Sequence, residues 1–187
     1  MARKKKEQIP PEVMSRRETY DWMHSIIIAL IACVFIFVFG IRVINVAGSS
    51  MNPTLNNGEK MLVSNLFYSP EVGDVVVFKK DEYDPNKALV KRIIATEGQE
   101  INMDFETGTI YIDGQPIVED YISELTVNKL DFIGPKTVPE GCVFVMGDNR
   151  NASTDSRDSR IGMVDARLIL GKVYCVIYPV PSFRYIR

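Results

Sequence analysis

Histidine is nearly missing from this 187-residue sequence, which has His24 and no other. One imidazole cannot complete a zinc site, and a Ser-His-Asp triad would have to be built around it. Cysteine is also scarce. Cys33 lies in an apolar run, while Cys142 and Cys175 sit in strand-like stretches, and no two have metal-ligand spacing. If those two strands are neighbours, Cys142 and Cys175 can pair; otherwise both stay free thiols. A basic surplus is lacking as well: from Val43 onward 15 Lys and Arg face 20 Asp and Glu. Nucleic acid is therefore not an expected partner, because phosphate binding needs excess positive charge. Neither Gly-x-Ser-x-Gly nor Ser-x-x-Lys occurs, which removes two common settings for a nucleophilic serine. No internal repeat or low-complexity stretch is present.

Charge is absent from residues 25–41, seventeen residues that rise about 26 Å as a helix, just enough for a hydrocarbon core. Tyr20 and Trp22 stand at one edge as interfacial anchors, and Arg42 closes the other. Arg3, Lys4, Lys5, Lys6, Arg16 and Arg17 precede the run, so the positive-inside rule puts the N-terminus in the cytoplasm and the rest outside. A cleaved secretory signal has a similar outline. Against cleavage, the run exceeds a usual signal core, and Asn45-Val46-Ala47 has no small residue at its first position. The expected organisation is a basic cytoplasmic tail at 1–21, a transmembrane helix at 22–42 and an extracytoplasmic domain at 43–187. On this topology His24 lies on the wrong side of the bilayer to serve any external nucleophile.

The external part reads as β. Short apolar runs at 60–64, 74–79, 88–95, 108–113, 142–146 and 172–178 alternate with turn residues, and Asp113-Gly114 marks a tight hairpin. A short helix is expected near 165–170, with Asp165 as its cap and Gly171 just past its end. The fold class is thus mostly β, an antiparallel barrel-like or sandwich-like assembly carrying one N-terminal transmembrane helix. The aromatic and Arg-containing C-terminal segment fits either the membrane surface or an edge strand.

Three stretches carry the candidate chemistry. In the first, 48–55, Gly48 permits close backbone approach, and Pro53 constrains Asn52, so a serine hydroxyl can be held in one direction. An ordinary polar loop has the same composition. With no usable histidine, the activator left for a serine is a lysine. Lys91 lies mid-strand, and alternation puts it on one face with Leu89, Ile93 and Ala95. An unperturbed lysine is neutral in only about one molecule in 2,500 at pH 7, and burial lowers its pKa by up to ~3–5 units. Alternatively, Lys91 and Arg92 form a basic pair that meets carboxylates. The third stretch, 147–157, is dense in short polar side chains that satisfy their own backbone in many loops. An Asp155–Arg157 pair could brace it and turn Ser153 inward. The sequon at 151–153 is taken as chance.

In order and spacing, Gly48-Ser49-Ser50-Met51-Asn52-Pro53-Thr54-Leu55, Gly73-Asp74-Val75-Val76-Val77-Phe78, Lys91-Arg92 followed by Gly98, and the 147–157 loop resemble the boxes of bacterial type I signal peptidases. These proteases remove signal peptides from exported proteins with a Ser-Lys dyad. The resemblance implies Ser50 as nucleophile, Lys91 as general base and Ser153 as the hydroxyl that orients the lysine. Asp155 and Arg157 would hold that loop, and Asp148 and Asn149 would have structural roles. It also implies the Ser50 amide as oxyanion donor. Some relatives add a serine hydroxyl where this chain has Gly48, so a glycine amide or a water would have to serve there. Val46, Met51, Leu55 and Val90 match substrate-pocket positions, with ordinary core as the other reading of each. The implied partners are secretory preproteins bound as an extended strand and the lipid bilayer, with no cofactor, metal or nucleic acid. The stretch 98–141 is expected to hold a reduced insertion, a hairpin. Eight residues between Ile41 and Ser50 keep the hydroxyl within about 30 Å of the span, near the depth at which a signal peptide is cut. Two other readings fit fewer features. Self-cleaving repressor-type Ser-Lys proteases carry a DNA-binding module and no membrane span, and an idle tethered peptide-binding β-domain would need neither dyad residue.

Overall fold

The computed structural model describes residues 11–186. The Arg3–Lys6 basic cluster and the first ten residues of the expected tail lie outside the described residues. The chain divides into two compact units, Met1–Gly40 and Ile41–Arg187.

The first unit holds α1 (Pro11–Phe39). Proline is well placed at a helix start, where its missing N–H costs no bond. The segment Glu18–Phe35 is long and apolar enough to cross a membrane by length and composition. Ile26, Ile27, Ile28, Leu30, Ile31, Val34 and Phe35 are all exposed, and three consecutive positions alone reach most of the helix circumference. The helix begins inside the segment expected as tail and stops before residue 42. Ile41 and Arg42 belong instead to a strand, because after Gly40 the β-branched residues at 43 and 44 favour extended geometry.

The second unit is antiparallel β throughout. Its main sheet contains β1 (Ile41–Asn45), β2 (Lys60–Ser64), β3 (Val75–Lys79), β4 (Ala88–Thr96), β9 (Cys142–Met146), β10 (Val164–Asp165), β11 (Ile169–Tyr178) and β12 (Arg184–Tyr185). Their spatial order is β1-β2-β11-β3-β4-β9-β10, with β12 on β11. Both faces of β3 are covered, which suits its run of three valines and a phenylalanine. The sheet is open among the described residues, so the barrel-like expectation does not extend to a closed barrel. The C-terminal segment supplies the edge strand β12, with Tyr178, Phe183 and Tyr185 exposed.

Residues 98–141 form more than a hairpin. β5 (Glu100–Asp104), β6 (Thr109–Ile112), β7 (Gln115–Pro116) and β8 (Lys136–Thr137) make a second sheet in the order β7-β6-β5-β8. Its Ile101, Met103, Ile110 and Ile112 share a core with Ile94, Ala95, Phe144 and Met146 of the main sheet. The Asp113-Gly114 turn joins β6 to β7, with Ile112 opposite Gln115 and both turn residues at positive φ, as a two-residue hairpin loop of this class requires.

Two further expectations change. The helix near 165–170 shrinks to one 3-10 turn at Ala166–Leu168, capped by Asp165, whose carboxylate accepts the Arg167 N–H. The chain then enters β11 at once, and Gly171 lies inside that strand, not past a helix end. Cys142 and Cys175 do not pair: β3 and β4 separate their strands, and both thiols are free.

Candidate active site

Ser50 lies in the connection from β1 to β2, and Lys91 on β4. Between these elements runs a groove of about 410 Å³, lined on one side by residues 44–51 and on the other by 86–91. Lys91 Nζ lies 2.8 Å from Ser50 Oγ. The lysine side chain is 2% exposed, which is why burial draws its pKa down to about 8. Asp155 and Asp148 oppose that shift, and Lys87 and Arg157 add to it.

The expected face around Lys91 holds in part. Leu89 and Ile93 pack in one cluster, but Ala95 joins the other core with Ile94. A register shift between Ile93 and Ala95 against β9 accounts for this, since an extra residue in one strand swaps the faces beyond it. The alternative of a basic pair applies to Arg92 alone. Its Nε and Nη2 meet Asp148 at 2.9 and 2.7 Å, and its Nη1 donates to Gly73 O at 2.7 Å.

The loop after β9 wraps this pair with buried charge. Arg157 meets the Asp155 carboxylate at 2.8 and 2.9 Å, and both side chains are fully buried. Asp155 also accepts the Gly147 N–H at 3.0 Å. Thr54 donates to Asp148, which ties the turn after Ser50 to the same loop. Asn149 donates its backbone N–H to Ser50 O at 3.0 Å and its side-chain amide to Ser49 O at 3.1 Å.

Ser153 does not make the hydrogen bond expected of it. Its hydroxyl is buried beside Gly147 and has no partner among the described residues, while Lys91 Nζ is bonded to Ser50. The Gly48 amide is not free for an oxyanion, because it donates to Asn57 Oδ1 at 2.9 Å. Ser50 N–H has no acceptor among the described residues. Of the expected pocket residues, Val46, Met51 and Val90 line the groove; Leu55 is fully buried core and does not.

Sequence reasoning missed a second layer of support. Arg150 is buried and bonds Glu119, Thr126 and Gly147 O. The Tyr121 ring lies 4.0 Å from the Arg92 guanidinium. Arg157 also donates to Asn128 O at 2.6 Å. Glu119, Tyr121, Thr126 and Asn128 all come from the 117–135 segment, whose sequence has no motif to pair it with β4 or with the loop after β9. Arg184 grips Glu59 and Thr54 O from the far end of the chain, and its only sequence signal was a charge among aromatics.

A hydroxyl set against a desolvated amine, in a groove beside an antiparallel sheet, is an arrangement in which the amine can take the hydroxyl proton. The family model described as signal peptidase, peptidase S26, matches residues 19–178, and the chain belongs to that family. It is 35% identical to signal peptidase I of Bacillus licheniformis, over 90% of this chain and 94% of that one. It is 34% identical to signal peptidase I of Bacillus amyloliquefaciens, over 98% of both chains. Signal peptidase IB of Staphylococcus aureus is 31% identical over 91% of this chain and 95% of its own length. Among solved structures, a signal peptidase I from Enterococcus faecalis is similar at 29% identity and a TM-score of 0.46, covering 56% of this chain and 97% of that one.

Proposed function

We propose that the protein is a membrane-bound serine endopeptidase that removes N-terminal signal peptides from exported preproteins, with Ser50 as nucleophile and neutral Lys91 as general base. The observation that carries this reading is the 2.8 Å contact between Ser50 Oγ and an amine whose pKa burial draws down to about 8. Lys91 Nζ takes the Ser50 proton as Oγ attacks the scissile carbonyl carbon. The charge that gathers on the carbonyl oxygen is met by Ser50 N–H. The Lys91 ammonium then protonates the leaving amine, giving an acyl-enzyme on Ser50. Lys91 next takes a proton from a water as the water oxygen attacks the acyl carbon. The Ser50 Oγ–carbon bond then breaks, Lys91 returns the proton to Oγ, and the acyl group leaves as a carboxylic acid. Nucleophile and base are both side chains, so the reading calls for no metal or cofactor.

Substrate would bind as an extended strand in the groove. Residues 88–91 of β4 have their outer edge free, since β9 pairs only from Arg92 onward, and β1 ends the sheet on the opposite wall. Val46, Met51 and Val90 make the shallow apolar lining that would select small side chains at the first and third positions before the cut. Asp148, Asn149, Asp155 and Arg157 hold the loop that backs the pair, and the Ser153 hydroxyl lies buried in that loop without a bond to the base. The apolar helix is the anchor, with the basic N-terminus in the cytoplasm and the Ile41–Arg187 unit outside.

The test is incubation of purified protein with a preprotein in detergent, followed by determination of the product's N-terminus. Ser50→Ala and Lys91→Ala should each abolish release of mature protein while keeping the wild-type fold. Release at a comparable rate by either variant overturns the dyad.

A further inference from the structure

The backbone of the nucleophile is held from one side by one residue. Asn149 contacts two successive carbonyls, taking Ser50 O with its main-chain N–H and Ser49 O with its side-chain amide. Ser49 O also accepts the Asn52 N–H at 3.1 Å, closing a tight turn under the serine. The peptide between Ser49 and Ser50 is trans. In a planar trans peptide the carbonyl and the next N–H point in opposite directions. Anchoring Ser49 O toward Asn149 therefore aims Ser50 N–H away from it, and that N–H bonds nothing else among the described residues. The neighbouring candidate donor, Gly48 N–H, is already committed to Asn57.

We infer that Asn149 is a positioning residue whose side-chain amide fixes the 49–50 peptide plane and so sets the direction of the oxyanion donor, Ser50 N–H. The inference rests on the reading of Ser50 as nucleophile. As the bond from Ser50 Oγ to the carbonyl carbon forms, the carbonyl π pair moves onto oxygen, and the amide must already point at that oxygen to stabilise it. A peptide plane in a turn can rotate with little movement of its neighbouring Cα atoms. The second carbonyl contact, through Asn149's own backbone, is retained whatever the side chain. Within the turn Asn52 N–H holds the same Ser49 carbonyl, and the Asn149 side-chain bond is the one that holds that plane from outside the turn. Asparagine suits the place chemically: a carboxylate of the same shape would set oxygen against the Ser49 carbonyl and push the plane over.

The experiment compares full-length wild type, Asn149→Ala and Asn149→Asp in detergent. For Asn149→Ala the expected result is a fall in kcat of about tenfold or more, with KM within about twofold. The midpoint of the pH profile should stay in place, because no charge near Lys91 has changed. Asn149→Asp, nearly the same shape, should be worse than Asn149→Ala. A substrate-derived peptide aldehyde, whose adduct carries its oxygen in the oxyanion position, should lose affinity in step with kcat. The matching peptide alcohol, which has no carbonyl to attack, should bind as before. Unchanged kcat, or equal losses for aldehyde and alcohol, would show that Asn149 only braces the loop. If Asn149→Ala does not fold, Asn149→Asp carries the same comparison of aldehyde with alcohol. Activity persisting in Ser50→Ala would instead strike the underlying reading, so the two failures are distinguishable.

Discussion

At the scale of single residues, the site is governed by what burial does to charge. In the proposed mechanism Lys91 is competent only when neutral, so kcat/KM should rise with pH through about 8 and level off above it. Lys87 lines the same groove, and its positive charge helps hold the Lys91 pKa down. Lys87→Gln removes that repulsion, so the rising limb should move to higher pH, read from kcat/KM profiles of the two proteins. The fully buried Asp155–Arg157 pair answers to a different cost. Asp155→Ala leaves the buried Arg157 guanidinium without its charge partner and the Gly147 N–H without its acceptor, and should lower stability by about 3–5 kcal/mol, measured by chemical denaturation. That Ser50 and Lys91 meet at 2.8 Å agrees with an expectation that rested on the order of the sequence boxes, since each local pattern alone also fits an ordinary loop or a basic pair. The failed bond from Ser153 and the occupied amide of Gly48 were not legible in the sequence, since both depend on which neighbour arrives first. Nor could the sequence pair Arg92 with Asp148, 56 residues away.

Among the elements, most strands were readable from alternation and turn punctuation, with β2 and β9 at the expected bounds. Three features were not. β1 was hidden because its Ile and Val residues continue the apolar run of the helix, and hydropathy alone does not separate a span from the strand after it. The offset in β4 leaves no trace, since Ile93, Ile94 and Ala95 suit either face. The short pieces of the second sheet, two residues each at its margins, fall below any periodicity. Gly171 sits where the main sheet leaves no room for a side chain. A Cβ there would lie 2.7 Å from the carbonyl carbon and oxygen of Ser64, in a strand paired on both sides that cannot slide away. Gly171→Ala should therefore cost about 1–3 kcal/mol, seen as a lower thermal midpoint.

For the molecule as a whole, the helix and the β unit divide the work of location and chemistry. The apolar helix should keep the protein in the membrane fraction through alkaline carbonate washes, with release only by detergent. The proposed orientation has its own readout at Phe67, which is 99% exposed on the β unit. Phe67→Cys should react with a membrane-impermeant thiol reagent on intact cells; labelling only after lysis would reverse the topology.

The order of the main sheet gives one late strand a structural task. Ser50 hangs between β1 and β2, Lys91 rides on β4 beside β3, and β11 is the piece that bridges these two halves. A copy without residues 169–178 keeps the ties from Asn149 and Asp148 to the Ser50 turn and from Asp148 to Arg92, but loses the strand that joins the two halves of the sheet.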